Sequence, residues 1–501
     1  MSRSLTQLWA LLSLRWQMAR TPGLRLGIVL GAMFVAWLLS VVVGSGGALD
    51  APTLATAIEL APATFLGFGA LAVIAPLTAG GGNEVVPPDQ LVGFPIRPGT
   101  QFFGGLLLAP LNLVWVVQLL VLAALTSYLT LGGSVLRGGL TTAAYVACLT
   151  VLGQALAWLV VGLRQTRLGR RLVTAAGVAM LVGAVVIVRT GHGDSVLDGS
   201  PTRTVVGGVI AGGDGHQLRW AVTTGVLLTT ALVGLWLGAR TCAWTLRRPG
   251  DAGLSRHTAP VRRRAAKGGQ LRELIAVDRA SVWRAPALRR GGLVLAILPG
   301  LIAAGTAVPW ESMIVLPGLV AAGAGLLFGV NAFCLDGSGA VWVASLPHDP
   351  RLVARAKAIV LTETVLAAVV IAAVAGSLRS PGTPTSAQVA AIVASGLACT
   401  ATVVAGGLRM SVRRPHRADL RGPRDAVAPP GALALASARL ALPTAVVGIL
   451  LGSASQLGLW WWPPLLALPI LLLALLSVLR SLRRYGDPWT RARIVQVVAA
   501  G

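Results

Sequence analysis

Two carboxylates lie inside long apolar stretches of the sequence, where an ionisable side chain is a candidate for transport or proton chemistry. Glu59 lies in one such stretch, and Glu363 lies about two turns inside another. A proton-driven transporter usually needs a denser set of intramembrane carboxylates than this. For Glu363, an arginine partner or a position near the membrane edge is the simpler interpretation. For Glu59, a functional and a structural role both stay open.

Motifs that would support catalysis are missing from the sequence. The only lysines, Lys267 and Lys357, follow no glycine-rich loop, so there is no GxxxxGK[ST] motif to hold nucleotide phosphates. There is no HExxH motif, and the five histidines and four cysteines have no metal-ligand spacing. We therefore predict a chain without catalytic residues, metal or cofactor. A membrane-bound glycosyl- or lipid-modifying enzyme would depend on Asp194, Asp198 and Asp214, which resemble turn residues among glycines.

The composition predicts an all-α polytopic membrane protein. The 501 residues are 55% hydrophobic and only 12% charged, with a mean hydropathy of +0.76. Soluble domains carry about twice that share of charge, roughly 25%. The net charge of +25 comes from 42 Lys and Arg against 17 Asp and Glu. Because cytoplasmic loops of membrane proteins concentrate Lys and Arg, this excess indicates a bilayer as partner and no nucleic acid.

About twelve transmembrane helices are predicted, because backbone groups in lipid must be satisfied within each segment and about 20 apolar residues span the bilayer core. The predicted spans are 26–44, 55–78, 103–129, 140–163, 172–188, 218–237, 291–308, 313–333, 357–376, 387–408, 432–452 and 458–479.

The loops between these spans predict the orientation. Arginines crowd the N-terminal segment, the fourth-to-fifth loop, the central linker, the tenth-to-eleventh loop and the C-terminal segment. With twelve spans, all of these fall on one side, so we predict a multi-pass protein of the cell membrane with both termini cytoplasmic. The largest outer loop, 189–216, contains VVGGVIAGG, which we interpret as flexible in preference to a short re-entrant turn.

The chain opens twice in a similar way, which predicts an internal repeat. The segments LTQLWALLSLRWQMARTPGL and LRELIAVDRASVWRAPALRR each precede a first span and carry Arg and Trp, as expected for an amphipathic helix in the membrane interface. We predict a six-helix half at 1–239, a basic linker at 240–268 and a second six-helix half at 269–501. An even number of spans makes the halves parallel repeats, a pseudo-dimer.

A proline-containing polar loop also occurs twice, between the second and third spans of each half. The pairs Phe94-Pro95 and Leu346-Pro347 lie 252 positions apart. Because proline restricts itself and its predecessor, both loops should be stiff. The candidate site residues are Asp89, Phe94, Pro95 and Arg97 in the first loop, and Asp336, Leu346, Pro347, Asp349, Arg351 and Arg355 in the second. A tight connector without further function is the alternative.

With these features the whole chain resembles ABC-2 type permeases, the membrane subunits of a class of ATP-driven exporters, in a fused form that supplies both halves. The resemblance rests on the interfacial helices, the six spans per half and the segments FPIRP and SLPHDPR. It implies that the repeated loops hold coupling helices that dock on a separate ABC ATPase in two copies, which binds ATP and Mg²⁺. The double proline Pro87-Pro88 occurs in the first loop only, so the two docking surfaces need not be equivalent.

A secondary transporter of the major facilitator kind is the alternative, since it also has twelve spans in two parallel halves. That family usually has a basic residue after the loop aspartate, whereas Asp89 is followed by Gln90. Its central linker also lacks a new amphipathic helix. The sequence therefore favours the exporter permease, with an amphipathic or lipid-like cargo.

Overall fold

The structure is a computed structural model of the chain. It describes residues 61–70, 97–107, 113–130, 133–190, 199–247, 269–305, 307–330, 332–416 and 430–499, together with the single residues 40, 58 and 195. The described part is largely helical and contains no β-strand. Nine helices within it are long and apolar enough to cross a membrane. The protein is therefore an all-α protein of the multi-pass membrane class.

These nine candidate spans overlap the fourth to twelfth predicted spans in order. They are Val135–Arg164, Arg167–Ile187, Gln217–Leu246, Leu288–Gly305, Trp310–Asp336, Pro350–Ser377, Ser386–Arg413, Leu435–Ser455 and Trp462–Gly486. The first predicted span lies outside the described residues except for Ser40, and the second is described only in part. In the third, helix is described at Pro98–Leu107 and Leu113–Leu129, and residues 108–112 lie outside the described residues. The total of twelve stays a prediction.

The chain divides into two compact units. Unit 1 comprises Met1–Leu77, Asn83–Val182 and His192–Ala252, and unit 2 comprises Thr78–Gly82, Gly183–Gly191 and Gly253–Gly501. The main division, between Ala252 and Gly253, falls inside the predicted linker, although helix continues to Leu246. The repeat and the count of six helices per half stay predictions.

Unit 1 is organised around two long helices that pack along each other. Its helices are α1 (Pro98–Leu107), α2 (Leu113–Leu129), α3 (Val135–Arg164), α4 (Arg167–Thr190), α5 (Pro201–Asp214) and α6 (Gln217–Leu246). The residues of α4 after Val182 belong to unit 2. The hydroxyls of Thr141 on α3 and Thr224 on α6 are 2.8 Å apart. Trp220 Nε1 donates to the Arg137 carbonyl at 2.9 Å. Such polar contacts between helices supplement close packing where no hydrophobic effect acts between them.

The prediction of a flexible outer loop is wrong for residues 201–214, which form α5. Pro201 at its first turn and Gly215 in a left-handed conformation (φ 82°) after its end mark the two boundaries. Val205, Val206 and Val209 are buried, and the glycines between them let the helix approach α3 and α6 closely. The glycines of VVGGVIAGG are therefore packing residues of a helix.

Unit 2 contains the larger described core. Its helices are α7 (Gln270–Arg284), α8 (Pro286–Gly305), α9 (Trp310–Met313), α10 (Leu316–Ala324), α11 (Gly339–Ser345), α12 (Pro350–Ser377), α13 (Ser386–Arg413), α14 (Pro430–Ser455), α15 (Trp462–Gly486) and α16 (Pro488–Ala499). A π-helical turn (Gly325–Gly329) follows α10, and a 3₁₀ turn (Cys334–Asp336) precedes α11. Alanine and valine dominate the core between α8, α10, α12 and α13, which allows close helix packing.

The π-helical turn is held by one serine of α13. Ser411 Oγ accepts from the Ala332 backbone N–H at 2.9 Å and lies 3.0 Å from the Gly329 carbonyl oxygen. A π-helical turn shifts the backbone hydrogen bonds of a helix by one residue, so local groups need other partners. The hydroxyl of Ser411 supplies such a partner, and Ser411 is fully buried.

We expect Ser411→Ala to lower the free energy of unfolding by about 1–3 kcal/mol, because it leaves the Ala332 N–H without its acceptor. The matched control is Ser453→Ala on α14, where the exposed hydroxyl contacts only the Ile449 carbonyl of its own helix. That change should stay within about 0.5 kcal/mol. Unfolding of both purified variants in detergent measures the difference, and equal effects would contradict the role of Ser411.

Candidate coupling surface at one end of unit 2

Several elements of unit 2 meet at one end of its helix bundle. The 3₁₀ turn, α11, the start of α12 and the ends of α13 and α15 pack with α16 around one apolar cluster. Phe333 and Tyr485 stack in parallel at its centre, with ring centroids 4.8 Å apart. Arg493 of α16 donates to the carbonyls of Val412 and Arg413 at the end of α13. By the predicted orientation, this is the cytoplasmic end.

A buried ion triad ties three of these elements together. Lys357 Nζ on α12 donates to Asp278 Oδ1 on α7 at 2.5 Å and to Asp336 Oδ1 in the 3₁₀ turn at 2.7 Å. The side chains of Lys357 and Asp278 are 5% and 8% exposed, and that of Asp336 is 20% exposed. We call these three residues the triad. It links residues that are 21 and 79 positions apart in the sequence.

Local sequence signals place the members of the triad. Asp349 accepts from the Arg351 N–H at 2.9 Å and caps α12, with Pro350 at its first position. This start places Lys357 two turns into the helix. Gly337 adopts φ 47°, a conformation that favours glycine, and turns the chain directly after Asp336.

The electrostatics of the triad are those of a desolvated site. Burial raises the pKa of the Asp278 carboxyl, and the Lys357 ammonium beside it acts in the opposite direction. A cavity of about 20 Å³ adjoins the triad and is lined by Asp278, Lys357, Cys334 and mainly apolar side chains. Charges in such surroundings are stable only when each has a close partner. The triad therefore depends on all three members.

A second ion pair joins the same two helices at an exposed position. Arg279, next to Asp278 on α7, donates to both carboxylate oxygens of Glu363 on α12, at 2.8 and 2.5 Å. The two side chains are 58% and 40% exposed. The Glu363 hydrogen bond raises the pKa of Arg279. Glu363 is thus an arginine-paired residue in this structure.

An apolar surface is exposed on α11 and the residues after it. Val341, Trp342, Leu346 and Pro347 are all exposed, and Trp342 is 77% exposed. We call these four residues the α11 surface. Helix α11 itself is anchored through buried Ala340 and its contacts with α16. A fixed helix with an exposed Trp is the type of feature that binds a protein partner.

The predicted site residues of the second loop fall into two groups. Leu346, Pro347, Arg351 and Arg355 are exposed at the same end of unit 2, whereas Asp336 points inward into the triad and Asp349 caps α12. In the first loop, Arg97 is exposed just before α1. Asp89, Phe94 and Pro95, together with the intramembrane candidate Glu59, lie outside the described residues. The repeated loop is therefore seen in its second copy only.

Sequence reasoning did not select Asp278 and Lys357 as site residues. One signal was available, because Lys357 is one of only two lysines in an arginine-rich chain. A second signal was Asp278 itself, because it is an aspartate in a segment that we interpreted as an amphipathic helix in the membrane interface.

No protein-family model, curated protein or solved structure matches this chain. Fold and site therefore define its class, a multi-pass, all-helical membrane protein with a buried ion triad and an exposed apolar helix at one end.

Proposed function

We propose that this chain is the membrane permease subunit of an ATP-driven exporter, of the ABC-2 type in a fused two-half form. It moves its cargo outward while a separate ABC ATPase, in two copies, binds ATP and Mg²⁺ and hydrolyses the nucleotide. The observation that carries the proposal is the α11 surface, an exposed apolar helix fixed to the spans by a buried ion triad.

The connection between α11 and the spans suits the transmission of force. Asp336 lies three residues before α11 and binds Lys357 of the span α12, which also binds Asp278 of α7. A partner that displaces α11 would therefore displace α12 and α7 with it. A flexible connector would absorb such a displacement, whereas this one is held by two charged contacts of the buried Lys357.

The remaining parts of the proposal follow from the sequence. The chain would lie in the cell membrane with both termini cytoplasmic, so that the α11 surface faces the ATPase. The apolar spans favour an amphipathic or lipid-like cargo. The chain itself would carry no catalytic residue and would act as a transport subunit.

The test is co-purification of the tagged chain from its native host, followed by an ATP hydrolysis assay. We expect an ATPase with a P-loop to purify with it and the complex to hydrolyse ATP. A chain that purifies without an ATPase would overturn the proposal. The secondary transporter would then become the leading candidate, with Glu59 and Glu363 as the residues to replace.

We expect Arg351→Glu with Arg355→Glu to weaken ATPase capture at least tenfold, because both exposed charges lie beside the α11 surface and would be reversed. The matched control reverses Arg167 and Arg171, which have the same spacing and lie on the same predicted side in unit 1. Quantitative pull-down compares the two pairs. An equal loss would indicate a general charge effect and contradict docking at this loop.

A further inference from the structure

Four arginines from three spans converge at the same end of unit 2. Arg409 and Arg413 lie one turn apart on α13, Arg439 lies on α14, and Arg484 lies in the last turn of α15. All four are exposed. Val412 and Leu482, which lie beside Arg413 and Arg484, are buried in one apolar cluster, and Met410 of α13 packs against the cluster that contains Ala436, about one turn before Arg439. We call these four residues the arginine cluster.

Within the described part of the chain, no ion pair with an acid neutralises the arginine cluster. The nearest acid along the chain, Asp487, accepts from the Thr490 N–H at 2.9 Å and caps α16. Arg493 adds a further positive group, since it binds the Arg413 carbonyl. Because like charges brought together by folding repel, the cluster favours an external anion.

Exposed apolar stripes lead directly to the arginine cluster. On α15, Leu473 and Leu476 lie on the same face as Arg484, eleven and eight residues before it. On α14, Leu442 and Val446 share a face with Arg439, at spacings of three and seven. Each stripe therefore ends in a guanidinium. This arrangement matches an amphiphile with an anionic head and apolar chains.

We propose that the arginine cluster binds the phosphate headgroup of an anionic phospholipid, whose acyl chains lie along the apolar stripes of α14 and α15. Guanidinium groups suit phosphate oxygens because their paired donors match them geometrically. Basic pockets between spans at the cytoplasmic side are a recurrent form of such sites. The stripes favour a lipid over free phosphate, because a phospholipid held by its headgroup would place its acyl chains along them. The site does not depend on an ATPase partner.

The test measures the affinity of the full-length, detergent-solubilised chain for fluorescently labelled phosphatidylglycerol, with labelled phosphatidylcholine as the zwitterionic comparison. We expect preferential binding of phosphatidylglycerol. Arg413→Gln with Arg484→Gln should weaken that binding about 30-fold, from about 1 kcal/mol for each arginine and tenfold for each 1.4 kcal/mol. The control, Arg167→Gln with Arg171→Gln, removes the same charge from an exposed pair in unit 1 and should leave the affinity unchanged.

Three outcomes would overturn the proposal. Equal affinity for both lipids would exclude headgroup recognition. An equal loss in both double variants would indicate general electrostatic attraction. Full competition by inorganic phosphate would indicate a free-anion site.

Thermal unfolding of the cluster variant should show no loss of stability, because a repulsive contact is removed. Arg439→Gln provides a second, independent variant of the site.

Discussion

Lys357→Met should lower the free energy of unfolding by about 3–5 kcal/mol, because it leaves Asp278 buried, and Asp336 partly buried beside it, without a counter-charge. Within the described part of the chain, the ammonium is the group that bridges these two carboxylates, at 2.5 and 2.7 Å. Its removal leaves two carboxylates close together without a counter-charge, and that of Asp278 is only 8% exposed. Unfolding in detergent by heat or denaturant, compared with the unchanged chain, measures the loss.

The exposed ion pair supplies a matched control for this prediction. Arg279→Met also removes a cation from a contact between α7 and α12, but its partner Glu363 is 40% exposed. Exposed pairs contribute about 0–1 kcal/mol, so the loss should be several times smaller. A combined Lys357→Met, Asp278→Asn and Asp336→Asn variant should recover much of the stability, because no buried charge remains unpaired. Equal losses for Lys357→Met and Arg279→Met, or no recovery, would contradict the role of the triad.

The stability of the triad matters for the proposed mechanism as well as for the fold. A buried charged contact costs desolvation and is often no more stabilising than an apolar replacement. Its effect here is to define one arrangement of α7, the 3₁₀ turn and α12. In the proposed mechanism, a displacement of α11 can reach the spans only if these three elements keep a fixed arrangement.

Hydropathy predicted the candidate spans because apolar length is a local property of the sequence. Nine predicted spans reappear as helices, although α3 and α6 each have 30 residues and extend beyond the predicted limits. Helices continue where the apolar stretch ends, since backbone hydrogen bonding does not depend on the lipid boundary.

Helix α5 was not predicted because its glycines were interpreted as signs of flexibility. In isolation, glycine does destabilise a helix. Here Gly208 lies against Thr223 of α6, and Gly212 lies against the backbone of α3, so each allows a contact that a larger residue would block. Tertiary packing outweighed the local preference. The available local signals were Pro201 and Gly215 at the two ends.

The triad could not be predicted from sequence because its members are brought together by packing. Asp278 and Lys357 are 79 residues apart, and no periodicity indicates which charged residues of two helices face each other. The position of the second loop was predictable, since it lies between two spans. Its division into an exposed docking part and an inward Asp336 was not, because the sequence does not show which side of the loop packs against the helix bundle.

Trp342→Glu should weaken capture of the partner ATPase about 30-fold while leaving the unfolding temperature of the chain unchanged. Trp342 is 77% exposed, so its replacement removes little packing within the chain. A tryptophan at the centre of an interface commonly contributes about 2 kcal/mol or more to binding, and each 1.4 kcal/mol is a factor of ten. A titrated pull-down with the co-purifying ATPase measures the affinity, and thermal unfolding verifies the fold.

Trp460→Glu is the matched control for this change. Trp460 is 62% exposed and lies just before α15 begins, whereas the end of that helix contacts α16 beside the α11 surface. The same substitution at the opposite end of unit 2 should therefore leave ATPase capture intact. If both variants lose capture equally, or if neither does, the α11 surface is not the docking site. A selective loss at Trp342 would locate the contact on the helix that the triad holds.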